Sequence, residues 1–331
     1  MSKKVLLTGA AGFIGSHVAE ALLARGDEVV GLDNFEAFYS PDVKRRNLRA
    51  ALAHDRFKLA ESDLRNPVSV EQAFGMGPFD AVIHLAGKAG VRPSLNDPAG
   101  YTETNISGTT HVLEAARKHG VGHVVFASSS SVYGARSVAP FRETDPVDEP
   151  VSPYAATKRA GEILASTFHH LYGLPVTCLR FFTVYGPRQR PDMAIHRFTQ
   201  LIDQGREVEL YGYGQSERDY TFIDDVVDGV VRALDRPAGY RIFNLGTNRT
   251  IQLTELIELI GAALDQTPRI IRLPHQPGDV SLTYADITLA RSELGYDPAT
   301  KLDDGIAAFI DWYRKESACL YPAHKLAATK P

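Results

Sequence analysis

Cysteine is nearly missing from this chain: Cys178 and Cys319 are the only two among 331 residues. That scarcity excludes a disulfide-stapled scaffold, and two distant thiols in no ligand spacing point to a reduced, cytoplasmic setting and to no metal site. Long hydrophobic runs are missing too. No window approaches the ~18 uninterrupted apolar residues of a membrane span, so no membrane partner is expected. The apolar stretch Val5-Leu6-Leu7 meets Gly9 too soon to serve as a secretory core. Neither sign of charge dominates, with 36 Lys plus Arg against 40 Asp plus Glu and a net charge of -4. Such a balance gives no field to hold a polyanion, so nucleic acid is not an expected partner. What is present is ordinary for a folded domain: 44% hydrophobic and 23% charged residues.

Up to about residue 183, short β-branched runs alternate with helical patterns. That rhythm predicts an α/β fold with a doubly wound parallel sheet. Strands are expected at Lys4–Thr8, Glu28–Leu32, Phe57–Glu61, Ala81–Leu85, Val121–Ala127 and Val176–Phe181. Helices are expected at His17–Arg25, Val68–Phe74, Thr104–Lys118 and Ala155–Tyr172, with Gly26, Gly120 and Gly173 just past their ends. Beyond residue 184 the rhythm loosens into Pro-, Gly- and Arg-rich connections around shorter helices at Ala194–Gln204, Val226–Leu234, Leu253–Ala263 and Gly305–Trp312. This predicts a cofactor-binding domain over 1–183 and a smaller C-terminal substrate-binding lobe over 184–320, with some elements returning to the first domain. Residues 321–331 read as a solvated tail. Asp224 and Asp225 open a helix, where carboxylates are expected to cap amides, and the adjacent His169 and His170 point to different helix faces, a poor metal pair.

Between the first strand and first helix runs Thr8-Gly9-Ala10-Ala11-Gly12-Phe13-Ile14-Gly15. Glycines at this spacing let backbone approach a ligand, and the helix amides then face a pyrophosphate. Gly9, Gly12, Phe13, Ile14 and Gly15 are therefore expected to cradle a dinucleotide. Asp33 follows the second strand, placed to accept hydrogen bonds from ribose hydroxyls and to repel a 2′-phosphate. With Asn34 beside it, it predicts NAD as the cofactor. By the same topology Asp63 and Leu64 after the third strand, and Leu85, Ala86 and Lys88 after the fourth, are expected to line the cofactor.

Tyr154-Ala155-Ala156-Thr157-Lys158 sets a phenol and an ammonium four residues apart, one turn along a single helix face. A free tyrosine, with a pKa of about 10, is a poor base at neutral pH. The expectation is that Lys158 and an oxidised nicotinamide lower Tyr154 by roughly two or three units. Upstream, Ser128-Ser129-Ser130-Ser131-Val132-Tyr133-Gly134 closes the fifth strand at the edge where open α/β sheets bind ligands.

Together with Arg180-Phe181-Phe182-Thr183-Val184-Tyr185-Gly186-Pro187-Arg188 and Arg218-Asp219-Tyr220-Thr221-Phe222, these motifs resemble the extended short-chain dehydrogenase/reductases, and within them the nucleotide-sugar 4-epimerases, UDP-glucuronate 4-epimerases above all. The resemblance implies a Rossmann fold, a tightly held NAD, a UDP-sugar substrate and a homodimer formed through helices such as Thr104–Lys118 and Ala155–Tyr172. It also implies Tyr154 as base and acid, Lys158 as its electrostatic partner and ribose ligand, and Ser129 as the hydroxyl sharing the sugar O4 proton. Asn105 looks like the family's asparagine near cofactor and active-site helix. Oxidation at C4 gives a transient 4-keto sugar, and reduction on the opposite face inverts the carbon.

Dehydratases and decarboxylases that share the ketone-forming step carry a carboxylate in the segment occupied here by Ser129-Ser130-Ser131. A serine offers no general acid for elimination, so inversion is expected. Enzymes acting on neutral UDP-glucose usually place asparagine where Thr183 stands. Arg190 and Arg92 are the expected contacts near C6, since a guanidinium binds a carboxylate through two parallel hydrogen bonds. Thr183, Ser130 and Ser131 are the expected hydroxyl donors, and Arg218 and Asp279 the expected UDP contacts. Holding the carboxylate would also restrain a 4-ketouronate, a β-keto acid, from losing carbon dioxide. The alternatives are a UDP-glucose/UDP-galactose 4-epimerase, a UDP-uronate decarboxylase, and a non-catalytic NAD-binding sensor.

Overall fold

The structure is a computed structural model that describes residues 2–274 and 280–320, with side chains as far as Glu316. Five of the six expected sheet strands come from runs of Val, Leu and Ile that bury both faces, as parallel strands covered by helices must. They are β1 (Lys4–Thr8), β2 (Glu28–Asp33), β4 (Ala81–His84), β5 (Val124–Ser129) and β6 (Val176–Phe181), while β3 (Phe57–Glu61) forms a more exposed edge. Tyr240–Leu245 is the seventh strand, and the order is Tyr240–Leu245, β6, β5, β4, β1, β2, β3, with every neighbouring pair parallel. Val5, Leu6, Leu7, Val82, Ile83, Val124 and Val125 form its fully buried centre.

Three of the covering helices start alike, with a polar cap followed by proline. Asn66, Asp97 and Ser152 accept amide hydrogen bonds at the starts of Pro67–Phe74, Pro98–Thr102 and Pro153–Tyr172. Proline at that position loses no bond, because its missing N–H would have no partner inside the helix. The Pro153–Tyr172 helix ends at Gly173 in the left-handed conformation. Helix α1 (Phe13–Ala24) differs. It starts at Gly12 with no side-chain cap, so its first amides are left for something else.

Past residue 182 the chain builds small two-stranded pieces. Thr183–Tyr185 pairs with Tyr220–Phe222, Glu217–Arg218 with Ile251–Gln252, and Glu207–Leu210 with Arg269–Arg272. The helices Ala194–Asp203, Leu253–Leu264 and Leu302–Leu320 pack beside them. Phe309 sits against His196, Trp312 and Tyr313 at ring separations of 5.6, 5.5 and 6.4 Å.

Several boundaries depart from the sequence reading. The expected strand Val121–Ala127 lies at Val124–Ser129, which carries Ser129 onto the strand itself. The first helix begins four residues before His17, at Phe13, directly after the glycine turn. The expected helix Thr104–Lys118 is continuous, yet its first part, Glu103–Ser107, winds with a wider π-turn before Gly108–Lys118. Asp224 and Asp225 do not cap their helix, Ile223–Leu234, whose N-cap is Phe222 with no side-chain bond. Asp225 instead accepts the amides of Ala299 and Thr300, 3.2 and 3.3 Å away, because the chain before the last helix runs across that helix start. The tail 321–331 lies outside the described residues.

Candidate active site

A cavity of about 660 Å³ opens along the C-terminal ends of the parallel strands, and the fragments past residue 183 form its far wall. Gly9, Gly12, Phe13, Ile14, Gly15, Asp33, Asn34, Asp63, Leu64, Leu85, Ala86 and Lys88 line one end. Arg92, Ser129, Ser130, Ser131, Tyr154, Lys158, Thr183, Arg190 and Arg218 line the remainder. Asp279 lies outside the described residues. Among the described residues expected at the site, only Asn105 is off the cavity wall.

The first end is made mainly of backbone. Gly9 has a φ of +72°, and a Cβ there would come within 2.7 Å of the Ala86 nitrogen, so the turn lies flat on the loop after β4. A Cβ on Gly15 would overlap the Gly9 carbonyl oxygen, so α1 packs directly on the turn and keeps its uncapped amides open to the cavity. Asp33 braces the turn from below: its carboxylate accepts the Ala11 amide at 3.0 Å and the Phe35 amide at 2.8 Å. Burial pushes the Asp33 carboxyl above its ordinary value, and the nearby charge of Lys44 opposes that. Lys44 was not singled out in the sequence. It sits in the Pro41–Asn47 helix, is buried, and lies over the Tyr39 ring at 5.0 Å. No local motif marks a lysine brought to Asp33 by helix packing.

Asp63 is gripped by Arg65, with Nη2 at 2.6 Å, and by the Asn34 amide at 3.1 Å. These bonds, Arg65 foremost, pull it down to about 2. Lys88 spans two carboxylates, Asp97 at 2.7 Å and Glu36 at 3.2 Å. Asn105, expected beside the cofactor, stands one layer behind. Its Oδ1 accepts the Lys88 amide at 2.8 Å, while its Nδ2 donates to the Lys88 carbonyl at 2.9 Å and to Thr157 Oγ1 at 3.0 Å. The widened π-turn puts this side chain between two segments, a recurrent use of such turns near functional sites.

At the seam between the two ends, Ser152 caps the Pro153–Tyr172 helix, so Tyr154 lies in its first turn and Lys158 one turn on. The Lys158 ammonium donates to the Ala127 carbonyl at 2.8 Å, tying the helix to β5, and burial lowers Lys158 to about 8. Ser129 Oγ accepts the Ser131 amide at 3.2 Å and donates to Ser131 Oγ at 3.2 Å. The Tyr101 ring meets that of Tyr154 edge-on at 6.2 Å.

The expectation that Tyr154 is lowered is not met in the protein alone. Burial raises its phenol, and the groups opposing that rise are the Ser129 hydroxyl and then the Arg190 charge, not Lys158. The reason is geometric: Lys158 is turned toward a strand carbonyl, while Arg190 reaches the site from the other wall.

The Arg190 side chain is 15% exposed. Its guanidinium donates to Asp192 at 2.6 and 3.0 Å and to the Ala89 carbonyl at 3.2 Å, and it lies over the Phe38 ring at 5.1 Å. Arg92 is exposed and stacks on the Tyr211 ring at 4.8 Å, bridging the two walls. Arg218 donates to the carbonyls of Glu217 and Val280. Thr183 is fixed by its amide bond to the Asp219 carbonyl at 3.0 Å. Asp219 itself is a buried hub that accepts from Thr247, Asn248 and Ala285, and burial pushes it up to about 6.

The chain belongs to the NAD dependent epimerase/dehydratase family, whose pattern matches residues 5–246. It is 42% identical over 328 residues to UDP-glucuronate 4-epimerase 4 of Arabidopsis thaliana, a match covering 93% of this chain and 75% of that protein. In three dimensions it is similar to UDP-glucuronic acid 4-epimerase from Bacillus cereus, solved with UDP-glucuronic acid and NAD. The TM-score is 0.89 at 35% identity, covering 94% of this chain and 99% of that one. UDP-glucose 4-epimerase from Thermotoga maritima, solved with UDP-glucose, gives a TM-score of 0.88 at 32% identity over 95% and 99% of the two chains. The cavity fits the family's cofactor: the side-chain-free turn, the uncapped start of α1 and the carboxylate of Asp33 are what a dinucleotide requires.

Proposed function

We propose that this protein is an NAD-dependent UDP-sugar 4-epimerase, an isomerase, and that its substrate is UDP-glucuronate, which it converts to UDP-galacturonate. The observation that carries the choice of a uronate is the position of Arg190. Arg190 and Tyr154 line the same cavity, so a cation shares the site with the group that handles O4. In a hexuronate the carboxylate is borne on C5, the carbon next to C4, and a guanidinium in that place suits it. The Arg190 fork holds the Asp192 carboxylate at two points, and a uronate carboxylate would take over that contact.

When bound, NAD supplies a two-electron acceptor that can be restored within one turnover. Tyr154 takes the O4 proton as C4 becomes a ketone and returns it once the 4-keto ring has turned over. Ser129, on the same cavity wall, shares that proton by turning its hydroxyl from Ser131 to the sugar oxygen. Lys158, anchored on Ala127, adds positive charge one turn along the helix and binds the ribose. Thr183, Ser130 and Ser131 supply hydroxyls to the sugar, Arg218 and Asp279 take the UDP, and Arg92 stands at the mouth. Asn105 acts through Lys88 and Thr157, holding the cofactor loop on the active-site helix. In this reading residues 1–183 bind NAD and carry the reacting groups, and 184–320 chiefly bind the nucleotide sugar.

An incubation with UDP-glucuronate followed by NMR, with no reductant added, tests the assignment. UDP-galacturonate is the expected product. Pentose product with carbon dioxide, or turnover of UDP-glucose alone, would overturn it.

A cytoplasmic homodimer is part of the same proposal. On the Pro153–Tyr172 helix Ile163 and Leu171, two turns apart, are exposed at 51% and 60%, apolar surface suited to a second copy. Cys178 is a buried free thiol, in keeping with a reducing compartment. Among the described residues no helix is long and apolar enough to cross a membrane. Sedimentation at micromolar concentration should give twice the chain mass.

A further inference from the structure

One buried charge pair lies beneath the active-site helix and has no part in the chemistry above. Ser128 on β5 is in register with Arg180 on β6, and Arg180 with Asn244 on the seventh strand, giving a polar row across three strands of an otherwise apolar sheet. Glu162, two turns past Tyr154 and one past Lys158, reaches down to this row. Its Oε1 accepts the Ser128 hydroxyl at 2.6 Å and Arg180 Nε at 2.8 Å. Its Oε2 accepts Arg180 Nη2 at 2.9 Å and Arg159 Nη1 at 3.2 Å. The side chains of Glu162 and Arg180 are 0% and 1% exposed. Arg180 Nη1 also donates to the Tyr133 hydroxyl at 3.0 Å, and Tyr133 donates to Asn244 at 2.7 Å. The pair therefore holds both ends of the serine loop, Ser128 before it and Tyr133 after it.

A buried ion pair is weak evidence for stability, because desolvation cancels much of its attraction, whereas it can fix register strongly. We propose that Glu162 is a positioning residue: braced by Arg180, it clamps Ser128 to the active-site helix and so sets the placement of Ser129 relative to Tyr154. The proposal rests on the reading that these two hydroxyls handle one sugar proton. Ser129 is the residue next to Ser128 and turns to the opposite face of the strand, so a shift of one moves the other. Misplacement of a reacting group by about 1 Å can cost on the order of 100-fold in rate.

Ser128→Ala removes the strand end of the clamp and leaves the ion pair whole. With whichever of UDP-glucuronate or UDP-glucose the wild type turns over, kcat should fall about tenfold while KM stays within about twofold. Glu162→Asp, which keeps the charge but shortens the reach, should lower kcat further if it folds. A kcat within about twofold of wild type in Ser128→Ala, or a loss confined to KM, would overturn the proposal. A crystal structure of Ser128→Ala reads the clamp without turnover. A displaced Ser129 hydroxyl supports it and an unmoved one sinks it, even if the wild type proves inactive on both sugars.

Discussion

The two ends of the cavity are built on different plans. The cofactor end is a turn and a helix start contiguous in sequence, with Gly9 and Gly15 packed too closely for any side chain and Asp33 bonded to the backbone of Ala11 and Phe35. The other end, where we propose the sugar binds, draws Arg92, Tyr154, Arg190 and Arg218 from segments far apart in the chain, and its guanidinium groups already hold protein partners. A site made of backbone survives many side-chain changes and fails when its packing changes. A site made of converging side chains fails one residue at a time.

The largest test of that contrast is Tyr154→Phe. Losing one oxygen at the sugar end should reduce kcat by about 10²- to 10⁴-fold, the usual span for a general acid–base group, while NAD remains bound by absorbance or fluorescence. Unchanged turnover would refute the assigned base. Arg190→Ala comes next. Loss of a charge-assisted fork should raise the KM for UDP-glucuronate about tenfold to a hundredfold and affect UDP-glucose much less, so the preference between them narrows. Equal losses on both sugars would place Arg190 elsewhere than at C6.

At the other end the damaging change is to packing. Gly15→Ala forces a methyl against the Gly9 carbonyl, and overpacking of this kind costs about 1–3 kcal/mol, so the melting temperature should fall by several degrees and NAD retention with it. Full NAD content in this variant would break the contrast.

At the seam, Lys158 is probed by a slope with pH and not by a loss of turnover. Burial lowers its pKa from 10.5 to about 8, so between those values the unfolded chain binds more protons than the folded one. Its contribution to stability should therefore rise with pH from about 8 to 10.5. Lys158→Met should remove that part of the slope, read as the difference between wild-type and variant melting temperatures across the window.

What could be read without coordinates follows the same division. Strand period and glycine spacing act over a few residues, so β1–β6 and the glycine turn were legible within a few positions. Where a distant segment intervened, the reading missed. Asp225 looked like a helix cap until the chain at Ala299 and Thr300 took its carboxylate. Asn105, read as standing near the active-site helix, does bond Thr157 there, but its second tie, to Lys88, carried no local signal. Lys44 carried no signal because only packing brings it near Asp33.

Periodicity, the glycine turn and the pairing of Tyr154 with Lys158 are local properties, and the sequence alone determined the sheet, the side-chain-free turn after β1 and the helix face shared by Tyr154 and Lys158. Which side chains share the cavity with Tyr154, and the bond between Ser128 and Glu162, were decided only by the tertiary structure. Charge interactions depend on burial and on distances between segments such as Ala127, Glu162 and Arg190 that no local pattern encodes.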